Sequence, residues 1–335
     1  MKKLLELVVV VMFSACSTIK TIEFDHLVAS EMSFPEMVRR VGVVNNMPLI
    51  EASEADLGRM VEGIEGDGKV FTEALAQGIA ETNYFDEVVV YDTTLCNMKV
   101  SYKSHQSIKK EWAGNVLSAA EASRWIDELG VDLLLSVERI RIEVKEGNMI
   151  PGAFVSYPVV DGIITPVVRA YIAGHEHPIL SMVKTDTIFW EPEPSLTFKK
   201  IVRESSEYAA SMLLPYMLPY WKEIRRNYYD GGNVEMRDAA VFLREYNWEE
   251  AYPLWKTTYD KKKGNLKMMA AFNLALYHEM QGEFELTREY LGVAESLASE
   301  NSVDLVVIRT YKLQLDELQR KYQQLQIQMN RFGDK

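Results

Sequence analysis

Gly130-Val131-Asp132-Leu133-Leu134-Leu135-Ser136-Val137 is the stretch that decides the fold. An apolar run this short, opened by a glycine and closed by the β-branched Val137, reads as a buried strand rather than a core helix. It continues into the alternating Ile140, Ile142 and Val144, where one face turns outward. Just upstream, Ser118 can cap a helix running to Leu129. Ala119, Ala122, Trp125, Ile126 and Leu129 form its inner face, and Gly130 is its stop.

The same grammar repeats towards the amino end. Arg39-Arg40-Val41-Gly42-Val43-Val44-Asn45-Asn46 is a short buried strand that Met47-Pro48 ends. After the glycine-rich Gly63 to Gly68 comes a helix from about Val70 to Glu81, with Phe71, Leu75 and Ile79 inward. Glu87-Val88-Val89-Val90-Tyr91 is a second strand. Gly66-Asp67-Gly68-Lys69 lacks phosphate-loop spacing and is expected as a flexible turn. The polar stretch from Leu95 to Gly114 carries no clear period.

Downstream, Phe154 to Val160, Val167 to Ala173 and Ile179 to Trp190 predict meandering strands, with turns at Asp161-Gly162 and Gly174-His175. Glu191-Pro192-Glu193-Pro194 breaks the sheet. Ser195 opens a helix expected to reach about Arg226, with Pro215 and Pro219 kinking or splitting it. This order predicts a mixed α/β (α+β) class, a twisted sheet covered by helices.

Val41-Gly42-Val43-Val44, Phe71-Thr72-Glu73-Ala74-Leu75 and Leu129-Gly130-Val131-Asp132-Leu133-Leu134-Leu135 resemble the α/β domain of the curli-secretion lipoprotein. They are similar also to the penicillin-binding-protein activator lipoproteins and the amino-terminal domain of the Tol translocation protein. The resemblance spans roughly residues 38 to 220 and implies a non-catalytic binding scaffold. The long loop from Cys96 to Gly114 departs from that pattern and argues against pore formation.

Beyond Asp230-Gly231-Gly232, a linker by composition, the chain reads as helical throughout. In Trp248-Glu249-Glu250-Ala251 and Gly282-Glu283-Phe284-Glu285, Trp248 and Phe284 stand 36 residues apart, close to the period of about 34 in tetratricopeptide repeats. Asn273-Leu274-Ala275, Gly282, Phe284, Leu291 and Ala294 fill the positions where such repeats need large projecting residues or small ones for close approach. Residues 234 to 299 thus resemble a tetratricopeptide repeat, although Asn247 stands at an expected glycine and Pro253 falls inside a helix. Its groove places Asn273, Tyr277, Phe242 and Tyr246 as candidate partner-binding residues. Ile308, Tyr311, Leu315, Leu318, Tyr322, Leu325, Met329 and Phe332 alternate by three and four, a seam that either caps the repeat stack or dimerises; capping is preferred.

The amino terminus reads as a bacterial lipoprotein signal. Lys2 and Lys3 precede an apolar run from Leu4 to Phe13, too short to span a bilayer core of about 30 Å. Ser14 and Ala15 set small residues before Cys16, the expected site of acylation, palmitate included. The expected organisation is residues 1–16 signal, 17–38 tether, 39–229 α/β domain and 230–335 repeats with a capping helix. Signal, α/β domain and repeats together resemble an uncharacterised family of tetratricopeptide lipoproteins from Gram-negative anaerobes.

A formal net charge of −12 repels nucleic acid and anionic lipid, so a polyanionic partner is not expected. Cys96 is the only cysteine besides Cys16 and reads as a small buried apolar residue. Among five histidines, His175 and His177 are spaced so that two imidazoles on one strand face could share a metal. Gly174 and Pro178 bracket them in a turn, however, so both are expected in water. With no Gly-x-Ser-x-Gly elbow or His-Glu-x-x-His helix, an enzyme is not expected and no cofactor is implied. The functional expectation is a scaffold for an envelope protein or peptide, tethered to the outer membrane by its acyl anchor and facing the periplasm. A metal-dependent envelope hydrolase and a self-assembling structural lipoprotein are the alternatives.

Overall fold

A computed structural model describes residues 19–51, 64–91, 93–96, 99–101, 115–149 and 157–330. Cys16 and the expected signal, His105, Phe332 and most of the loop between Cys96 and Gly114 lie outside them. The chain divides into two compact units: Ser30–Tyr220, and a second that joins the segment up to Ala29 with the chain from Trp221 onward.

The first described element, β1 (Ile19–Val28), belongs to the second unit. A strand thus occupies the segment expected as a tether, and its alternation buries Ile22 and Phe24.

In the Ser30–Tyr220 unit, β2 (Arg40–Asn45), β3 (Leu49–Glu51), β4 (Ile64–Glu65), helix α1 (Gly68–Glu81), β5 (Glu87–Tyr91), β6 (Lys99–Ser101), helix α2 (Ala119–Leu129), β7 (Leu133–Met149), β8 (Tyr157–Tyr171), β9 (Leu180–Val183), β10 (Asp186–Trp190) and helix α3 (Phe198–Met217) follow in turn. The main sheet has the order β10-β8-β7-β2-β5, with β9 on β8 and β4 on β7, while β3 and β6 form a separate pair. β2 runs parallel to both β5 and β7; each parallel crossover carries a helix, as such connections require. Asp132, just before β7, aligns the β2–β7 pairing, its Oδ2 accepting from the Arg39 and Arg40 N–H groups at 2.9 and 2.8 Å.

Helix α2 follows the sequence reading closely. Ser118 and Glu121 form a capping box, and Gly130 ends the helix in the left-handed region at φ 64°. Its inner residues Ala122 and Ile126 pack with Val44 and Leu134. Gly42 lies beneath: an added Cβ would meet Val131 at 3.1 Å and Leu134 at 3.3 Å. On α1, the expected flexible turn is an ordered cap, with Asp67 accepting from the Lys69 and Val70 N–H groups at 2.9 and 3.1 Å. α1 packs against α3.

Two sequence expectations are corrected here. Asp161-Gly162 is not a turn; it lies inside β8, paired with Lys145 and Val144. The glycine is needed for packing, since a Cβ there would come 2.5 Å from the Trp190 ring. The last helix of this unit stops at Met217 instead of about Arg226. Leu218 is already extended (φ −127°, ψ 146°), the conformation a following proline imposes. Past Pro219 the chain forms a strand, β11 (Tyr220–Tyr229).

A register shift between Val137 and Arg139 puts a bulge in β7, and bulges re-aim side chains. The fully buried Glu138 receives the Tyr171 hydroxyl at 3.0 Å and pairs with Arg169. The next residue, Arg139, donates through Nε and Nη2 to Glu65 at 2.9 and 2.6 Å.

The second unit pairs β1 with β11 and adds five helices among the described residues: α4 (Val234–Arg244), α5 (Trp248–Lys261), α6 (Gly264–Met280), α7 (Phe284–Leu297) and α8 (Val303–Met329). Each packs on the next. Asn233, Asn247 and Ser302 cap α4, α5 and α8. Helix α6 buries every residue from Met268 to Leu276, the signature of a helix enclosed on all sides. Ile308, Tyr311 and Leu315 of α8 join the same core, with Leu318 and Tyr322 against it.

Candidate functional site

In the second unit the helices hold β11 by its main chain. Asn273 is fully buried in α6, and its amide brackets Tyr229: Oδ1 accepts from the Tyr229 N–H and Nδ2 donates to the Tyr229 carbonyl, both at 2.8 Å. The Tyr229 ring meets Phe272 edge-on at 5.3 Å. Its hydroxyl donates to Asp304 at 2.7 Å, and burial, with that carboxylate, raises its pKa. Three residues earlier, Arg226 grips Glu279 through Nε and Nη2, and Tyr311 donates to the other Glu279 oxygen. Arg226 is thereby locked in its charged form, its pKa raised by the Glu279 carboxylate against the cost of burial. Tyr311 is driven well above the ordinary phenol range by burial and by Glu279.

Beside these residues lies a cavity of 270 Å³ between β1, β11 and α8, lined by Leu27, Ile224, Leu318 and Tyr322 with the polar His26, Lys222 and Gln314. Burial lowers the His26 pKa, offset in part by Glu279 and reinforced by Arg226.

The residues expected to line a partner groove therefore divide. Asn273 is fully buried and hydrogen-bonded to the chain's own strand, and its setting within the buried run from Met268 to Leu276 is the signal, because a buried amide must find partners. Tyr277 is half-buried, its hydroxyl donating to Glu249 at 3.2 Å and its ring 4.5 Å from Tyr252. Tyr246 is exposed in the α4–α5 turn at φ 58°, three residues before Glu249. Phe242 packs part-buried on the helical core.

A model of the family described as Domain of unknown function (DUF8603) matches residues 38–229, more than half of the chain. The chain belongs to that family. Residues 237–319 match a second model, Domain of unknown function (DUF6340). No curated protein matches the chain. Among solved structures, it is similar to the PelC dodecamer from Paraburkholderia phytofirmans at 10% identity and a TM-score of 0.27, over 59% of this chain and 98% of that one.

In this family member His175 and His177 are exposed in the turn after β8. Among the described residues no three His, Cys, Asp or Glu side chains are grouped to hold a metal ion, and no helix is long and apolar enough to cross a membrane. Cys96 is buried with a free thiol. Sequence reasoning missed His26, Arg226 and Glu279. His26 reaches the other two only through the pairing of β1 with β11, some 200 residues apart, and no local pattern announces it.

Proposed function

We propose that this chain is an envelope lipoprotein, acylated at Cys16, that serves as a non-enzymatic scaffold for another protein. In this reading α4 to α8 form a tetratricopeptide-like array closed by α8, held at the periplasmic face of the outer membrane. The observation that carries the proposal is the grip of Asn273 on the Tyr229 main chain. Main-chain hydrogen bonds give affinity for extended polypeptide largely regardless of sequence, and here the helical stack makes such bonds to its own strand through Asn273. The partner is then received outside the occupied cleft, at the aromatic positions Tyr246, Tyr277 and Phe242. Tyr277 donates to Glu249, three residues after the exposed Tyr246, and exposed or half-exposed aromatics are strong contributors to contacts.

Photoreactive side chains placed at Tyr246 and Tyr277 in intact cells test this reading. One dominant protein adduct is expected, and specific adducts at neither position would overturn it. The anchor is tested separately: Cys16→Ala should abolish labelling by a palmitate analogue and release the chain from membranes. Protease treatment of intact cells should leave the wild-type chain whole.

A further inference from the structure

The 270 Å³ cavity between β1, β11 and α8 has the composition of a ligand site that the scaffold reading does not use. Its apolar walls are Leu27 and Ile224 from the ribbon and Leu318 and Tyr322 from α8. Its charged lining is unbalanced once existing pairs are counted. Arg226 is spent on Glu279, and Lys321 lies 3.0 Å from Glu317. Lys222 remains, with no ion-pair or hydrogen-bond partner among the described residues. The His26 imidazole and the Gln314 amide likewise have no hydrogen bond there. One uncompensated cation and two further donors therefore face an apolar space, on a chain whose net charge is −12.

The volume sets the ligand's size, because sites for drug-sized molecules span about 300–1,000 Å³. This cavity falls just below that range, so it admits a small organic acid rather than a drug-sized molecule. We propose that it is a binding site for a carboxylate carried on a single branched aliphatic body, the anion meeting Lys222, His26 and Gln314 and the body lying against Leu27, Ile224 and Leu318. Arg226 takes no direct part, because Glu279 neutralises it.

Such a carboxylate has two sources, a free short-chain acid or the carboxy terminus of a polypeptide. The test uses calorimetric titration of the full chain with 4-methylpentanoate and with N-acetyl-leucine, each beside its neutral counterpart, 4-methylpentan-1-ol and N-acetyl-leucinamide. At least one acid should bind about tenfold or more tightly than its neutral counterpart, since a charge-assisted hydrogen bond is being lost. The tighter acid identifies the source. Lys222→Glu should weaken that acid by about tenfold or more, whereas Lys222→Arg should retain it. Lys222 is exposed, so both variants should keep the wild-type melting temperature. Equal binding of acid and neutral counterpart, no binding of either acid at millimolar concentration, or full affinity in Lys222→Glu would each overturn the site.

Discussion

The Asn273 amide meets Tyr229 on both sides of its main chain, accepting from the N–H and donating to the carbonyl at 2.8 Å each. A side chain thereby satisfies both main-chain groups of one strand residue. Asn273→Ala would strand a buried N–H and a buried C=O, each costing roughly 1–3 kcal/mol. A loss of about 3 kcal/mol in urea unfolding is expected. Asn273→Asp keeps only the acceptor and buries a charge, so it should be no milder. A change under about 1 kcal/mol would mean that the ribbon is held by its side chains alone.

Gly282 makes the turn between α6 and α7 at φ 74°, and an added Cβ would run into the Tyr322 ring. Two penalties therefore coincide at one residue. Gly282→Ala should lose about 1–2 kcal/mol from the left-handed backbone alone and more from the displaced ring, read as a lowered melting temperature. Gly264 also has positive φ, at 59°, but nothing lies within 4 Å of its added Cβ. Gly264→Ala should accordingly show the backbone cost without the steric one.

Elements that carry their own signals were legible in the sequence. Ser118 and Gly130 defined α2 from cap to stop, β5 was read at its observed limits, and the spacing of Gly282 and Phe284 marked the α6–α7 hairpin. Local signals misled where tertiary packing had set the residue. Gly162 is a glycine because Trp190 crosses it, and Asp161-Gly162 looks like a turn for unrelated reasons. The helix forecast to Arg226 lost its last stretch because Pro219 admits a strand, and β1 supplies that strand its partner. The cavity with His26 and Lys222 was not legible, since it exists only once β1 and β11 meet.

Glu65 and Arg139 form a pair in the α/β unit with side chains only 2% and 6% exposed. Removing one member of such a pair costs about 3–5 kcal/mol, whereas replacing both by apolar residues of similar volume is often neutral or favourable. Glu65→Gln should therefore be strongly destabilising at neutral pH, and Glu65→Leu with Arg139→Met much less so. Burial raises the Glu65 pKa above 4.5, with Arg139 opposing. The native state thus holds that proton more tightly than the unfolded chain does, and this contribution is lost as pH rises from 4.5 through the folded value. Glu65→Gln should flatten that part of the stability profile. An unchanged profile would show that other groups set it.

The two faces of α8 make opposite predictions. Ile308 is fully buried and Leu315 nearly so, whereas Val306 and Leu313 are 63% and 83% exposed, although all four are apolar and share one helix. If α8 closes the helical stack within the chain, Ile308→Ala should cost about 2–5 kcal/mol by opening a cavity. Leu313→Ser should then change stability by less than about 0.5 kcal/mol. A self-assembling chain would instead use the outer stripe, and Leu313→Ser would shift its mass in light scattering at unchanged stability. Because the three-and-four alternation from Ile308 to Tyr322 is satisfied inside one molecule, the expected result is a large stability loss for Ile308→Ala and no change in mass for Leu313→Ser.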